Sequence, residues 1–202
     1  ELSLLYNNKK ISEDNSFAIE TMKYINNYVD EIKKKDDVLY AVYGSPAESL
    51  CGLQVRQFRE KFGIIKNVSD KDFFSNSFHC YVGDDISPID KQDKEFELFH
   101  LIKGGHIQYV KLNNPKNLKS LKNIILRGLE RGFYQGVNFN SCFCEDCGND
   151  YDGEHGENCP RCNSDNITEQ NRISGYLGFT RRGGDRTIND DKYAEIKERV
   201  SM

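Results

Sequence analysis

Apolar residues recur at spacings of four and three between Ser16 and Lys35. Ala18, Met22, Ile25, Val29 and Ile32 form the stripe of an amphipathic helix whose apolar face reads as core packing. Ser16 stands where an N-cap is expected, and Lys33, Lys34 and Lys35 suit the negative end of the helix dipole. From Asp37 to Tyr43 the pattern changes to an unbroken apolar run, Val38 through Val42, which predicts a strand buried on both faces. Gly44-Ser45-Pro46-Ala47-Glu48-Ser49 ends that run. Ser45 and Glu48 have the spacing of a capping box, with Pro46 at the first helical position, so a helix is predicted to about Lys61, stopping before Gly63.

Further along, Asn76 to Val82, with Phe78, His79, Cys80 and Tyr81, reads as a strand. The polar stretch from Ser87 to His100 is expected to hold a short helix. A turn at Gly104-Gly105 leads into a strand from His106 to Leu112. Asn114-Pro115 opens a helix with Leu118, Leu121, Ile125 and Leu129 on one face, Gly132 ends it, and Phe133 to Phe139 is a further strand. Strands alternating with helices predict an α/β core.

Composition narrows the class. At 202 residues the chain forms one domain, or one domain with an appendage. Hydrophobic residues make up 37% and charged residues 30%, no apolar run approaches the roughly 18 residues of a membrane span, and no signal-peptide pattern opens the chain. The net charge of −4 argues against a nucleic-acid surface, whose footprint is basic. Seven cysteines, four of them in Cys-x-x-Cys pairs, favour a reducing, cytoplasmic compartment and metal binding over a disulfide scaffold. The first residue is Glu1 and not Met, so the chain is expected to be processed, excerpted or half of a longer protein.

The strongest local motif is Cys144-x-x-Cys147 followed by Cys159-Pro160-Arg161-Cys162. Each pair places two thiolates on one tight turn, and two such turns make a closed tetrahedron suited to structural Zn²⁺. His155 is surplus to that set, and Cys142 has no obvious partner. Cys51 and Cys80 read as small buried residues, and His79, His100 and His106 as ordinary structural or surface histidines. The Ser45 cap has two readings. It is a well-capped helix, or its free N–H groups and positive dipole end hold an anion such as a phosphate.

Arg172-Ile173-Ser174-Gly175-Tyr176-Leu177-Gly178 resembles the glycyl-radical signature of arginine, apolar residue, small residue, glycine and tyrosine, in the Leu-Gly form of the anaerobic (class III) ribonucleoside-triphosphate reductases. The resemblance to that family extends over nearly the whole chain. It takes in Tyr43 through Gly52 (the family usually has Thr at the Ser45 position), Arg59 through Ile65, Asn76 through His79, Gly104 through Ile107, and Lys192 through Val200.

The resemblance implies the C-terminal half of a glycyl-radical-type ten-stranded α/β barrel at residues 1–140, a zinc ribbon at 141–168, and a glycyl-radical loop with a C-terminal helix at 169–202. It implies that Gly175 stores the radical and that substrate phosphates sit at Ser45, Ala47, Glu48 and Ser49. An activating enzyme with an iron–sulfur cluster and S-adenosylmethionine would generate the radical. Ribonucleoside triphosphates would be the substrates, formate or a thiol system would supply electrons, and the complete enzyme would be a homodimer. The family's thiyl-forming cysteine lies upstream, and none of Cys51, Cys80 or Cys142 matches it, so an N-terminal half on a partner chain or a longer protein is expected. The alternatives are a trans-acting spare glycyl-radical domain for a damaged reductase, against which the length of the α/β segment counts, and a zinc-ribbon module for nucleic acid, disfavoured by the acidic balance.

Overall fold

The computed structural model describes residues 1–45, 50–75, 79–112, 117–153, 157–173 and 175–201. Six helices and seven strands lie among them. They are α1 (Leu2–Asn7), α2 (Ser16–Asp36), α3 (Leu50–Phe62), α4 (Pro88–Leu101), β1 (Ile107–Lys111), α5 (Leu118–Glu130), β2 (Tyr134–Asn138), β3 (Ser141–Cys144), β4 (Asp150–Tyr151), β5 (Ile167–Arg172), β6 (Leu177–Arg182), β7 (Asp185–Arg186) and α6 (Asp190–Glu198).

The first half of the α2 stripe does what its spacing predicts, whereas Val29 and Ile32 are only half-buried and lie outside the core cluster. Ala18 and Met22 are buried against Leu98 and Ile102 at the end of α4, with Ile11, Ile19, Ile25, Val42 and Leu101 closing around them. The cap differs from expectation by one residue. Asn15 holds the N-cap position, and Ser16 is the first helical residue, its N–H and Oγ both donating to Asp14 Oδ1 at 3.0 and 2.7 Å. The segment 88–101 is a full helix, capped by Ser87, whose Oγ accepts from the Asp90 N–H, with Pro88 at the first position. Its charges concealed its length.

β1 and β2 pair in parallel, Ile107 opposite Tyr134 through Lys111 opposite Asn138, and α5 crosses between them. This βαβ unit is the α/β core that the alternation predicts. Burial alternates along β1, so Gln108 and Val110 point to one side and Ile107, Tyr109 and Lys111 to the other. A chain of amides locks the first side to α4. Gln92 Nε2 donates to Gln135 Oε1 at 2.8 Å, Gln135 Nε2 to Gln108 Oε1 at 2.5 Å, and Gln108 Nε2 to Glu95 Oε2 at 3.1 Å.

Among the described residues two predicted strands do not form. Residues 37–43 form no strand: Leu39 is 95% exposed and Val38 48%, and the segment is held where Val42 packs on the α2–α4 core and its carbonyl accepts from the Gly104 N–H. An apolar run becomes a buried strand only when a neighbour supplies the ladder and the cover, and no described residue does so here. Residues 79–82 are likewise outside any strand, and 76–78 lie outside the described residues. Asn114-Pro115 and Pro46 through Ser49 also fall outside them. Within the described residues Asn117 caps α5 by accepting from the Ser120 N–H.

The second sheet is antiparallel in the order β4-β3-β5-β6-β7, with β3 to β5 and β5 to β6 as its central pairings. It is one continuous sheet, with the cysteine turns at one end and the β5–β6 hairpin carrying Gly175 at the other. Helix α6 follows it and lies against α3 at Gly52, where a Cβ would come within 2.0 Å of Asp191. Only glycine allows that approach, which the Arg56–Asp191 ion pair at 2.6 Å then fastens.

Leu98 is fully buried between α2 and the sheet-facing side of α4. Leu98→Ala is expected to destabilise the protein by about 2–5 kcal/mol, measured by urea unfolding, whereas truncating the exposed Leu39 should shift the midpoint far less.

Candidate active site and metal centre

The two Cys-x-x-Cys turns meet. Cys144 and Cys147 lie around the turn that ends β3, and Cys159 and Cys162 around the turn before β5. Their four sulfurs all lie within 4.8 Å of one another, with Cys144 to Cys162 and Cys147 to Cys159 each at 3.6 Å. A zinc ion with Zn–S bonds of about 2.3 Å requires sulfur–sulfur edges of about 3.8 Å, so the donor set fits a tetrahedral thiolate site. Positive φ at Gly148 and Asn163 lets each turn close. None of the seven cysteines, all among the described residues, is in a disulfide. Burial pushes the thiols of Cys51 and Cys142 up to about 11 and that of Cys80 up to about 12, so none of the three is a ready thiolate.

At the far end of the same sheet Gly175 sits in the β5–β6 hairpin. The Ile173 N–H donates to Tyr176 O at 2.9 Å, and Arg172 Nη1 donates to Gly175 O at 3.3 Å. Among the described residues a Cβ built on Gly175 would meet only the Ile107 Cδ1 methyl, at 3.4 Å. Steric exclusion of a side chain is thus a weak reason for glycine at this position. The contrast with Gly52 is direct.

Gly175 opens onto a cavity of about 90 Å³ between the hairpin, the outward side of β1 and α6. Ser45, His79, Cys80, Lys91, Ile107, Tyr109, Lys111, Asn138, Arg172, Glu195 and Arg199 line it. Two of the residues expected to carry function, Gly175 and Ser45, therefore share one cavity, while Ala47, Glu48 and Ser49 lie outside the described residues. The zinc-type site lies elsewhere on the sheet. Arg172 Nε and Asn138 Oδ1 are buried in the lining without a hydrogen-bond partner among the described residues.

Two buried carboxylates flank the cavity, and the sequence pattern singled out neither. Glu95, 1% exposed, accepts from Lys91 Nζ at 2.6 Å and from the Cys80 N–H at 2.8 Å. Burial alone would raise its carboxyl, but the Lys91 ammonium, helped by His79, holds it below the usual carboxylate range. Glu195 is held low in the same way, burial being outweighed by Arg199 and Lys192 at 2.9 and 2.8 Å. Burial lowers Lys192 in turn, with Glu195 opposing. Both sets, Lys91–Glu95 and Glu195–Arg199, are spaced four apart on helices. That spacing ordinarily marks exposed pairs, so it gave no signal of burial.

His79 and His106 stack with ring centroids 4.4 Å apart, and burial lowers both, His106 to about 3. His79 Nδ1 lies 3.6 Å from Glu95 Oε1, beyond hydrogen-bonding reach. The structural reading of these histidines fits His106, whereas His79 also lines the cavity.

These features define an α/β protein with a four-cysteine ribbon and a cavity beneath a glycine hairpin. A model of the family "Anaerobic ribonucleoside-triphosphate reductase" matches residues 1–202. The anaerobic ribonucleoside-triphosphate reductase of Haemophilus influenzae is 31% identical over 211 residues, covering 98% of this chain and 29% of that protein. That of enterobacteria phage T4 is 31% identical over 185 residues, covering 90% of this chain and 31% of the relative. Among solved structures, the anaerobic ribonucleotide reductase of Thermotoga maritima with MES in the active site superposes with a TM-score of 0.65 at 20% identity, over 83% of this chain and 27% of that one. The chain belongs to the anaerobic ribonucleoside-triphosphate reductase family, and it spans about three tenths of the length of these curated relatives.

Two outcomes follow from the site. Anaerobically purified protein should contain one zinc per chain. Cys→Ser at Cys144, Cys147, Cys159 or Cys162 should lower that content while leaving the far-UV spectrum of the helices largely intact, because a structural metal contributes to folding locally. Metal analysis and circular dichroism check both. Because His106 is neutral when folded down to about pH 3 but protonates near 6.5 when unfolded, the unfolded state binds the extra proton between those values. Stability should therefore fall as pH drops below about 6.5, with His106 contributing about 1.4 kcal/mol of loss between pH 7.5 and 5.5. Denaturant unfolding across that window should show the slope, reduced in His106→Gln.

Proposed function

We propose that this chain is the C-terminal part of an anaerobic ribonucleoside-triphosphate reductase, storing a glycyl radical at Gly175 and contributing part of the site where ribonucleoside triphosphates become deoxyribonucleotides. The observation that carries the reading is the cavity shared by Gly175, Ser45 and the outward side of β1. A glycine without a tight steric reason to be one, held by hydrogen bonds on both sides, suits a residue kept for its α-carbon. Its α-radical would have no side chain to prevent flattening and would delocalise into both neighbouring amides.

On this reading the βαβ unit is a segment of the family's ten-stranded barrel, and the exposed run 38–43 is a segment whose strand neighbours belong to the rest of the enzyme. The domain limits 1–140, 141–168 and 169–202 are proposed with the ribbon and the glycine hairpin built on one shared sheet. Zinc at Cys144, Cys147, Cys159 and Cys162 would supply no reaction chemistry but would cross-link the turns that brace that sheet. A radical S-adenosylmethionine activase would remove one α-hydrogen atom from Gly175. The stored radical would pass to a cysteine outside this chain, whose thiyl takes the ribose 3′-hydrogen. The 2′-hydroxyl then leaves as water, with formate or a thiol as reductant.

Substrate phosphate is assigned to Ser45, Ala47, Glu48 and Ser49, the residues that lead into α3, whose positive dipole end favours an anion. The complete enzyme is taken to be a cytoplasmic homodimer. The alternative, a spare radical domain acting in trans on a damaged reductase, is less well supported. A spare loop has no use for an α/β unit that walls the same cavity as the glycine.

Activation under anaerobic conditions with the cognate activase, S-adenosylmethionine and a reductant should produce an organic radical with a doublet from the remaining α-hydrogen. The doublet should be absent in Gly175→Ala, whose methyl group the site nearly accommodates. Admitting air should cut the activated chain at residue 175 and leave a large fragment ending near Ser174. An intact chain after activation and air, with no doublet beforehand, would return Gly175 to an ordinary hairpin glycine.

A further inference from the structure

We propose that Arg199, anchored on Glu195, is a positioning residue that clamps the backbone leading into Gly175 onto α6. The guanidinium grips Glu195 with two donors, Nε to Oε1 at 3.0 Å and Nη2 to Oε2 at 2.9 Å. It turns its remaining reach outward, Nη1 to Arg172 O at 2.6 Å and Nη2 to Ile173 O at 3.2 Å. Those carbonyls belong to the last two described residues before the glycine. The far side of the hairpin is tied by the Ile173 N–H to Tyr176 O and by Arg172 to Gly175 O, so Ile173 is held through both its N–H and its C=O.

The clamp itself has a fixed base. Glu195 is 2% exposed and also faces Lys192 Nζ at 2.8 Å. The end of α6 is fastened by Lys111 Nζ to Arg199 O at 2.9 Å and by the Val200 N–H to Val82 O at 2.9 Å. A planar fork with five donors can serve a carboxylate and two carbonyls together, whereas a lysine ammonium with three donors on a flexible stem cannot hold the same geometry. The arrangement makes α6 the element that sets how the glycine hairpin faces β1 and its cavity. This inference deepens the radical-site reading and rests on it for its function, but the clamp has a readout that needs no radical.

The test compares the unmodified chain with Arg199→Lys and Arg199→Ala by hydrogen exchange and mass spectrometry before activation. The full reductase containing each chain is then activated and its radical followed by electron paramagnetic resonance. Exchange in peptides covering residues 172–177 should be about tenfold faster in Arg199→Lys, with zinc content and the exchange of α2 and α4 unchanged. The doublet of that variant should decay faster or change its splitting. If Arg199→Ala fails to fold, Arg199→Lys decides alone. Full rescue of hairpin exchange and doublet by lysine would overturn the proposal, leaving Arg199 as charge balance for Glu195. Faster hairpin exchange in Arg199→Lys with no doublet even in the unmodified enzyme would sustain the clamp and sink the radical assignment instead.

Discussion

Burial of carboxylate charge is the constraint on which the centre of this structure depends. Glu95 on α4 and Glu195 on α6 are both almost fully enclosed, and each is tolerable only because a cation from its own helix reaches it. Removing one partner of such a pair leaves an uncompensated charge, at a cost of about 3–5 kcal/mol. Glu95 makes its other contacts to Gln108 of β1 and the Cys80 N–H, whereas Glu195 holds Arg199, whose guanidinium reaches the glycine hairpin. The two ion pairs thereby orient the βαβ unit and the second sheet toward one cavity.

The antiparallel sheet joins two motifs that lie apart in the sequence. Its cysteine end brings four sulfurs within 4.8 Å of one another, and its hairpin end carries Gly175 beside the Ile173–Tyr176 backbone hydrogen bond. β5 runs from the second cysteine turn to Arg172, so one hydrogen-bonded strand spans the distance between the four cysteines and the hairpin.

The charge network also sorts the histidines and cysteines. His106 is kept neutral by burial and by its neighbour His79, and Cys80 is kept as a thiol by burial and by the nearby Glu95 charge. A cavity whose own thiol and imidazole are held uncharged, while its cations are tied to carboxylates and carbonyls, is poor in free acid–base groups.

Local patterns determined much on their own. The α2 stripe, the turn glycines, the Cys-x-x-Cys spacing, the βαβ order and the residues flanking Gly175 each act within a few residues, where propensity and spacing operate directly. The strand read into residues 37–43 failed because a strand exists only through a neighbour, and the length of α4 was hidden because Lys91, Gln92 and Glu95 are polar residues buried by tertiary contacts. Only the tertiary structure decided that Ser45 and Gly175 share a cavity, that Glu195 and Arg199 belong to it, and that ribbon and hairpin are two ends of one sheet. Such facts are invisible in sequence because they depend on contacts between residues far apart in the chain, such as Arg172 with Arg199 and Gly52 with Asp191, which no local spacing encodes.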